Sequence, residues 1–585
     1  MENSIVKRLF IFFISALGLL AIVLNLIATP RRADRNDRYR PGDWVSFGVA
    51  RYISSVAVGP EYTYFGSSEG LLRYDILRNR WEAPYTTSDG LADNQIFAVA
   101  YDIGTGLLWC STRAGVSSMH PASYRWTNYS KGNIGIGQFD EILSIGIGRQ
   151  FVWFETRAQR LFNVSKLGNV IVAAGDTAND NIFWFGVRAR RPRLLPHFFV
   201  PAGYIFDPNG VFQDFRLRRA DVTGFVRDQW DSYWMGTWGL GAWRANVHIE
   251  RAEILAFGLA QRRVDALAFD EHGLWIGGRN DKLNDSDAEI RGITYWRNSS
   301  TNSFGASEWK YHEARYNLEM SSDEVNRFEI AGGKIYCATE EGVNIYDPKK
   351  DRWRRLASKS RILSGRVNDV AVYDGFIWAA TDFGLYRVTT RSSTGKDTVG
   401  VTEVLPKQLL NVAIYDLERK ENLLWMGTRF GGFVYDMAKD TGGFVSDVNG
   451  PHGEQTVTVS ASDSVVWFGT TYGVEVFDIE NKVWLGPPAR QQLSNANLNR
   501  PPCQKFASTN ITINYMLAQP EAVWVGTDAG VFKYNRARKD WRQFTCEDGL
   551  IDNRVNAIAV QDDWIWFGTP SGLTAFRWND PHRID

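Results

Sequence analysis

A short signature that returns along most of the chain limits what it can fold into: an aromatic residue, any residue, glycine, then threonine. Clear copies are Trp234-Met235-Gly236-Thr237, Trp425-Met426-Gly427-Thr428, Trp467-Phe468-Gly469-Thr470, Trp524-Val525-Gly526-Thr527 and Trp566-Phe567-Gly568-Thr569. Looser copies stand at Tyr64-Phe65-Gly66-Ser67, Trp109-Cys110-Ser111-Thr112, Trp275-Ile276-Gly277-Gly278, Tyr336-Cys337-Ala338-Thr339 and Trp378-Ala379-Ala380-Thr381. Divergent copies centre on Trp153 and Trp184. These make about twelve units with a mean spacing of about 46 residues, the scale of a four-stranded propeller blade. The pattern predicts an all-β chain, a β-propeller of about twelve four-stranded blades.

Each part of the unit has a local reason. Three residues after the threonine or serine comes Gly70, Gly115, Gly342, Gly384, Gly431, Gly473, Gly530 or Gly572. That spacing suits a tight hairpin with one position at positive φ, which glycine adopts at low cost. Alternating apolar runs such as Val555-Asn556-Ala557-Ile558-Ala559-Val560 precede the aromatic and read as strands. After the hairpin a strand ends in Asp or Asn, with a Trp six residues on: Asp75 with Trp81, Asp347 with Trp353, Asp478 with Trp484, Asn535 with Trp541. The unit is strand A, strand B carrying the signature, strand C, strand D. Such a sheet cannot bury both faces alone, so blades stack around an axis. The strand-B indoles then pack between blades, each burying about 150–250 Å². This reading is favoured over a tryptophan-lined groove.

The last unit stops at Phe576-Arg577-Trp578 without a strand D, whereas Asp43-Trp44-Val45-Ser46-Phe47 looks like Asp540-Trp541-Arg542-Gln543-Phe544. Residues 43–48 are therefore expected to close the last blade and remove an open edge. Propellers usually hold four to eight blades, so two rings are expected, over residues 49–316 and 317–585. The division near Tyr316 follows the widest gap between unit centres.

Ahead of the repeats, Lys7 and Arg8 precede an apolar run, Leu9 to Ala28, long enough to span about 30 Å of hydrocarbon. The exit, Leu26-Ile27-Ala28-Thr29-Pro30, matches a cleavage site poorly. An uncleaved signal-anchor, a transmembrane helix within residues 1–28 followed by a linker over 29–42, is favoured over a cleaved peptide. Arg31, Arg32, Arg35, Arg38 and Arg40 pull the following side toward the cytoplasm, while the position of the span is that of an export signal. An extracytoplasmic, membrane-anchored chain (periplasmic or cell-surface) is expected, with a cytoplasm-facing anchor as the alternative.

Composition removes several function classes. Lys plus Arg (66) equals Asp plus Glu (66) in 585 residues, against a general nucleic-acid binder. Apolar residues at 44% and charged residues at 23% describe a globular chain. Seven His and four Cys leave no large metal or disulfide framework, and no cofactor is called for. The histidines lack metal or triad spacing, no phosphate loop occurs, and no serine sits in a Gly-x-Ser-x-Gly elbow. The run Asp281 to Glu289 alternates oxygen ligands without the glycine and distal glutamate of a Ca²⁺ loop. It reads as a solvated loop first and a weak Ca²⁺ site (Asp285, Asp287, Glu289) second. Cys110 and Cys337, on B strands, are expected as buried thiols. Cys503 and Cys546, in loops before successive A strands, are the pair that an oxidising compartment would allow to bridge.

In this strand order the D–A and B–C loops share one face. Three insertions fall there, 187–201, 279–291 and 486–510, against 297–307 and 390–400 on the other face. That asymmetry points to a recognition surface, with tolerated insertions as the bland alternative. The first insertion carries Arg188, Arg190, Arg191, Arg193, Phe198 and Phe199, a partner-docking candidate suited to phosphate or carboxylate, or else a solvated charged tip. Further face-lining candidates beside hairpin turns are Arg157, Trp238, Arg279, Asp382, Arg429, Tyr472 and Asp528.

Asp89-Gly90-Leu91-Ala92-Asp93-Asn94 followed by Trp109 and Gly115 resembles two-component regulator propeller repeats, as does Asp548-Gly549-Leu550-Ile551-Asp552-Asn553 followed by Trp566-Phe567-Gly568-Thr569 and Gly572-Leu573. The resemblance covers roughly residues 43–578 and weakens between Trp153 and Phe215. It implies paired propellers that form extracytoplasmic input domains of bacterial sensor kinases or stand in secreted and assembly proteins. Sensors of that family continue into an immunoglobulin-like module and a kinase, which this sequence does not carry. The expected function is a non-enzymatic propeller that binds a protein partner or a small carbohydrate-like ligand, as sensor input or scaffold. The alternatives are a carbohydrate-active propeller enzyme, which needs two or three converging carboxylates, and a structural subunit of a surface or secretion assembly.

Overall fold

The computed structural model describes residues 31–32, 39–175, 181–189, 194–215, 217–279, 292–298, 307–356, 365–389, 400–402, 406–445, 455–471, 473–485, 511–580 and 583. These residues are almost entirely β: eleven antiparallel sheets, eight of them four-stranded, with helix confined to short turns such as Lys131–Ile134. No helix among the described residues is long and apolar enough to cross a membrane. The run 9–28 lies outside them.

Each letter of the signature has a job in the packing. Its threonine or serine hydroxyl donates to the carbonyl of the glycine three residues on, at 2.7 Å in Thr527–Gly530 and 2.8 Å in Thr569–Gly572. That glycine takes positive φ, +108° at Gly530, and lies so close to the outer strand that a Cβ there would stand 2.2 Å from the Phe544 carbonyl oxygen. The glycine within the signature admits the next sheet: a Cβ on Gly568 would meet Val264 at 2.7 Å, and one on Gly236 would meet Ile53 at 2.3 Å. The strand-B tryptophans (Trp109, Trp234, Trp378, Trp524 and Trp566 among them) are buried between sheets. They are packing residues, not a groove.

The chain forms two compact units. One holds Tyr52–Leu71 and Gly90–Leu255, the other Arg35–Arg51, Leu72–Asp89 and Ala256–Asp585. The break after Leu255 lies upstream of the division expected near Tyr316, because the sheet over 266–312 packs with the sheets that follow it.

In the second unit seven sheets place their first strands side by side. Ala266–Phe269 touches Val325–Ala331, and the chain of contacts runs on through Val367–Tyr373, Ile414–Lys420, Thr456–Ser462 and Ile513–Ala518 to Ala557–Gln561, which returns to Ala266–Phe269. The last of these sheets is completed by Trp44–Phe47, paired antiparallel with Leu573–Phe576. Trp44 is fully buried there and stacks on Phe576 with centroids 4.0 Å apart.

In the first unit the inner strands are Ile53–Val58, Ile96–Asp102, Ile142–Ile147 and Arg219–Arg227, with Thr223 donating to the Ile53 carbonyl. Trp184 does not centre a blade of its own. Phe183–Gly186 pairs with the inner strand Ile142–Ile147 and touches the other three inner strands as well, so it fills the space they surround.

Candidate functional site

The second unit keeps an open space where the first has a strand. A cavity of about 280 Å³ is lined by the second residue of all seven sheets, counted from the equivalent β-branched position: Asp265, Asn326, Asn368, Tyr415, Val457, Asn514 and Asn556. Five of these are the extra residue of a β-bulge, where the register slips between 325 and 327, 367 and 369, 414 and 416, 456 and 458, and 513 and 515. A bulge frees one residue from the ladder and re-aims its side chain. Repeated around the unit, it turns a row of side chains into one lining.

The bulge asparagines also tie neighbouring strands. The Nδ2 of Asn326, Asn368 and Asn514 donates to the first-residue carbonyl of the next sheet, Val367, Ile414 and Val555, at 2.9, 2.8 and 3.1 Å. Asn556 donates to Asp265 Oδ1 at 2.9 Å. Asn368 Nδ2 also reaches Asp382 Oδ1 at 2.9 Å, while its own Oδ1 is buried without a hydrogen-bond partner.

Charge on the lining is strongly positive. Arg263, Arg279, Arg327, Arg366 and Arg554 face a single lining carboxylate, Asp265. Asp265 accepts both contacts from Arg263 Nε, at 3.0 and 2.8 Å, and the Arg279 main-chain N–H at 2.9 Å. Arg279 Nε lies 3.6 Å from Asp265, buried and without a hydrogen bond. Arg366 stands 3.5 Å from Glu340, and Arg554 is exposed. Arg327 is held over the Tyr515 ring at 4.7 Å, with its Nε 3.5 Å from Asp416.

Further along the same inner strands are four carboxylates. Burial and the Asp416 charge push Asp369 well above the carboxylate range, and burial with the same charge raises Glu418 to about 8. Burial also raises Glu329. Burial works against the Arg327 cation, but Asp416 and its neighbours outweigh it and raise its pKa. The two aspartates are spent on cross-links between sheets. Asp369 accepts the Val370 and Leu417 N–H groups at 2.7 Å each, and Asp416 accepts the Val459 N–H and the Thr458 hydroxyl at 2.8 Å each.

Of the residues singled out by sequence, Arg279 lines the cavity, and two more border it. Asp382 holds Asn368, and Asp528 accepts the main-chain N–H of the lining residue Thr512 at 3.0 Å. Arg429 bonds the Ala413 carbonyl through its main chain, beside the exposed Phe430. In the first unit Arg157 pairs with Glu141, and Arg188 pairs with Glu155 at 2.9 Å over the Trp184 ring. Trp238 is half exposed, its ring 5.3 Å from Tyr52. Phe198 is a correction: alternation along this extended segment leaves Phe199 64% exposed and buries Phe198 among Phe206 and Tyr233, where it serves the core and offers nothing to a partner. Arg190, Arg191, Arg193, Tyr472, Asp285, Asp287, Glu289 and Cys503 lie outside the described residues. Cys546 is exposed, and Cys110 and Cys337 are buried thiols whose pKa burial raises. Among the described residues no three His, Cys, Asp or Glu groups come together as a metal site.

Apart from Arg279, the lining residues were missed, although a signal existed. Val325-Asn326, Val367-Asn368, Ile513-Asn514 and Val555-Asn556 repeat one dipeptide ahead of four inner strands. An asparagine recurring at one strand position with a β-branched partner marks a place where a strand needs an amide.

Scanned against known protein families, the chain matches none. A curated relative, histidine kinase P4 of Formosa agariphila, is 20% identical over 338 residues, which is 49% of this chain and 24% of the relative. The chain thus spans about a quarter of the length of that relative. Among solved structures, PorZ of Porphyromonas gingivalis, described as an essential surface component of the type-IX secretion system, is 13% identical, with a TM-score of 0.44 over 90% of this chain and 74% of PorZ. The BT4673 extracellular domain from B. thetaiotaomicron is 14% identical, with a TM-score of 0.41 over 91% of this chain and 70% of that one. The BT3049 extracellular domain from the same source is 14% identical, with a TM-score of 0.40 over 90% and 74%.

Proposed function

We propose that this chain is a non-catalytic, extracytoplasmic binding module of the two-component regulator propeller kind, anchored through its N-terminal apolar run. In this reading the second unit is a seven-bladed ring, the first a smaller ring, and the ligand site is the cavity of the second unit. The observation that carries the reading is the convergence of one equivalent strand position from all seven sheets, five of them β-bulges, on a single lining. A sensor-input role draws support from the stretch shared with histidine kinase P4. The carbohydrate-active alternative is weakened by the way Asp369 and Asp416 are committed to backbone N–H groups of the neighbouring sheet. A scaffold role would draw on Phe383 and Phe430, 62% and 52% exposed at the hairpins of successive sheets.

The test compares the purified chain with Val457→Phe, which fills the cavity from its one aliphatic bulge position. Native mass spectrometry after exposure to a small-molecule extract should show an adduct on the wild type that the variant lacks, released chemically unchanged. Turnover of the bound molecule, or an adduct that persists on the variant, would overturn the reading.

A further inference from the structure

Resting on that reading, we infer that the cavity takes a small hydroxylated carboxylate, with its charge at the arginine rim and its hydroxyl groups at the bulge amides.

The lining holds two kinds of hydrogen-bonding group, with Arg263, Arg366 and Arg554 each two residues ahead of Asp265, Asn368 and Asn556. Asn368 has given both Nδ2 hydrogens, to the Ile414 carbonyl and to Asp382, so what remains of that amide is the oxygen, which only accepts, whereas Asn326 and Asn514 have each given one and keep an N–H beside the oxygen. The Asn368 Oδ1 is the clearest case, because the residue is 6% exposed and that oxygen has no partner. An unpaired buried acceptor costs free energy that a ligand donor recovers. A hydroxyl group is such a donor, and a bare anion is not.

The rim has the opposite character. Guanidinium groups donate and never accept, and Arg279 Nε is buried without a hydrogen bond while Arg554 has no ion-pair partner among the described residues. Asp265 is shared between Arg263 and Arg279, Arg366 lies near Glu340 and Arg327 near Asp416, which leaves Arg554 as the lining guanidinium that no carboxylate among the described residues neutralises. A carboxylate is the planar acceptor that such a fork binds through two parallel contacts. At about 280 Å³ the space suits a molecule of monosaccharide size. The ligand class follows from the two ends together.

Isothermal titration of the full chain with glucuronate, glucose and inorganic phosphate separates the contributions, since these carry both features, hydroxyls alone and charge alone. Glucuronate should bind about tenfold or more tightly than either, the scale of one charge-assisted hydrogen bond. Arg554→Gln, at an exposed position, should weaken glucuronate by a similar factor and leave glucose unchanged. Glucose binding as tightly as glucuronate, with Val457→Phe abolishing both, would overturn the ligand class and leave the cavity reading standing. Phosphate matching glucuronate would remove the role of the amides. Binding that survives Val457→Phe would overturn class and cavity together, and absence of binding by all three probes would overturn the class.

Discussion

The two units solve one geometric problem in opposite ways. Both surround a central space with inner strands, most of which carry a bulge at the second position. In the first unit the bulge residues include Phe97 and Leu143, and a further strand, Phe183–Gly186, enters the space and touches every inner strand. In the second the equivalent residues are mostly amides, and the space stays open as a cavity with arginines at its rim. The bulge is thus a neutral device. Bulges at Phe97 and Leu143 offer apolar side chains to a strand of the same chain, whereas those at Asn326, Asn368 and Asn514 leave amide hydrogen-bonding capacity that the chain does not use.

The largest effect expected from this contrast is at Gly186. Its φ is +82°, and a Cβ there would stand 2.3 Å from the Leu143 carbonyl oxygen and 2.8 Å from the Ala98 Cβ. Gly186→Val should cost about 3 kcal/mol by combining strain at positive φ with overpacking. Hydrogen exchange should show lost protection in Ile53–Val58 and Ile96–Asp102 but not in Val367–Tyr373 or Ile414–Lys420. Unchanged protection in the first unit would mean that the strand rests in its central space without supporting it.

A second test concerns Glu418, a buried acid further along an inner strand of the second unit. Its folded pKa of about 8 lies above the ordinary value of 4.5, because of burial and the Asp416 charge. The native state therefore holds a proton that the unfolded chain releases, and stability should fall as pH rises from about 4.5 through 8, then level off. Glu418→Gln should match the wild type near pH 5 and melt higher than it near pH 9. Parallel melting curves across that range would show that solvent already reaches this carboxylate.

Residues whose role is local were legible in the sequence. The signature glycine, the hairpin glycine and the Thr527 or Thr569 hydroxyl act within a few residues or against the next sheet, so a single repeat carries their meaning. The pairing of Trp44 with Phe576 was visible for a related reason, since a missing strand and an orphan strand look alike in pattern. The cavity was not legible, because Asn368 or Tyr415 becomes part of a lining only when distant repeats meet around a common centre. Trp184 misled because its neighbours Phe183 and Phe185 spell the strand pattern, and pattern cannot say which strand it pairs with. Phe198 misled through composition, since an arginine-rich loop hides the alternation that buries one of two adjacent phenylalanines.

The smallest effect tests why the units use different side chains for the same tie. Ser54 and Thr223, in the first unit, share a hydroxyl between the signature-glycine carbonyl of their own sheet and the first carbonyl of the next: Gly66 and Ile96 for Ser54, Gly236 and Ile53 for Thr223. The second unit spans the same junction with the longer amide of Asn326, Asn368 and Asn514. If reach is what selects the residue, Asn514→Ser should cost as much as Asn514→Leu, about 1 kcal/mol, because its hydroxyl falls short of the Val555 carbonyl. Thr223→Val should cost a similar amount by leaving both carbonyls without their donor. Thermal melts of the three variants decide the matter. Serine at 514 melting with the wild type would show that the junctions are equally wide, and the contrast between the units would then rest on what fills them and not on how far apart their strands stand.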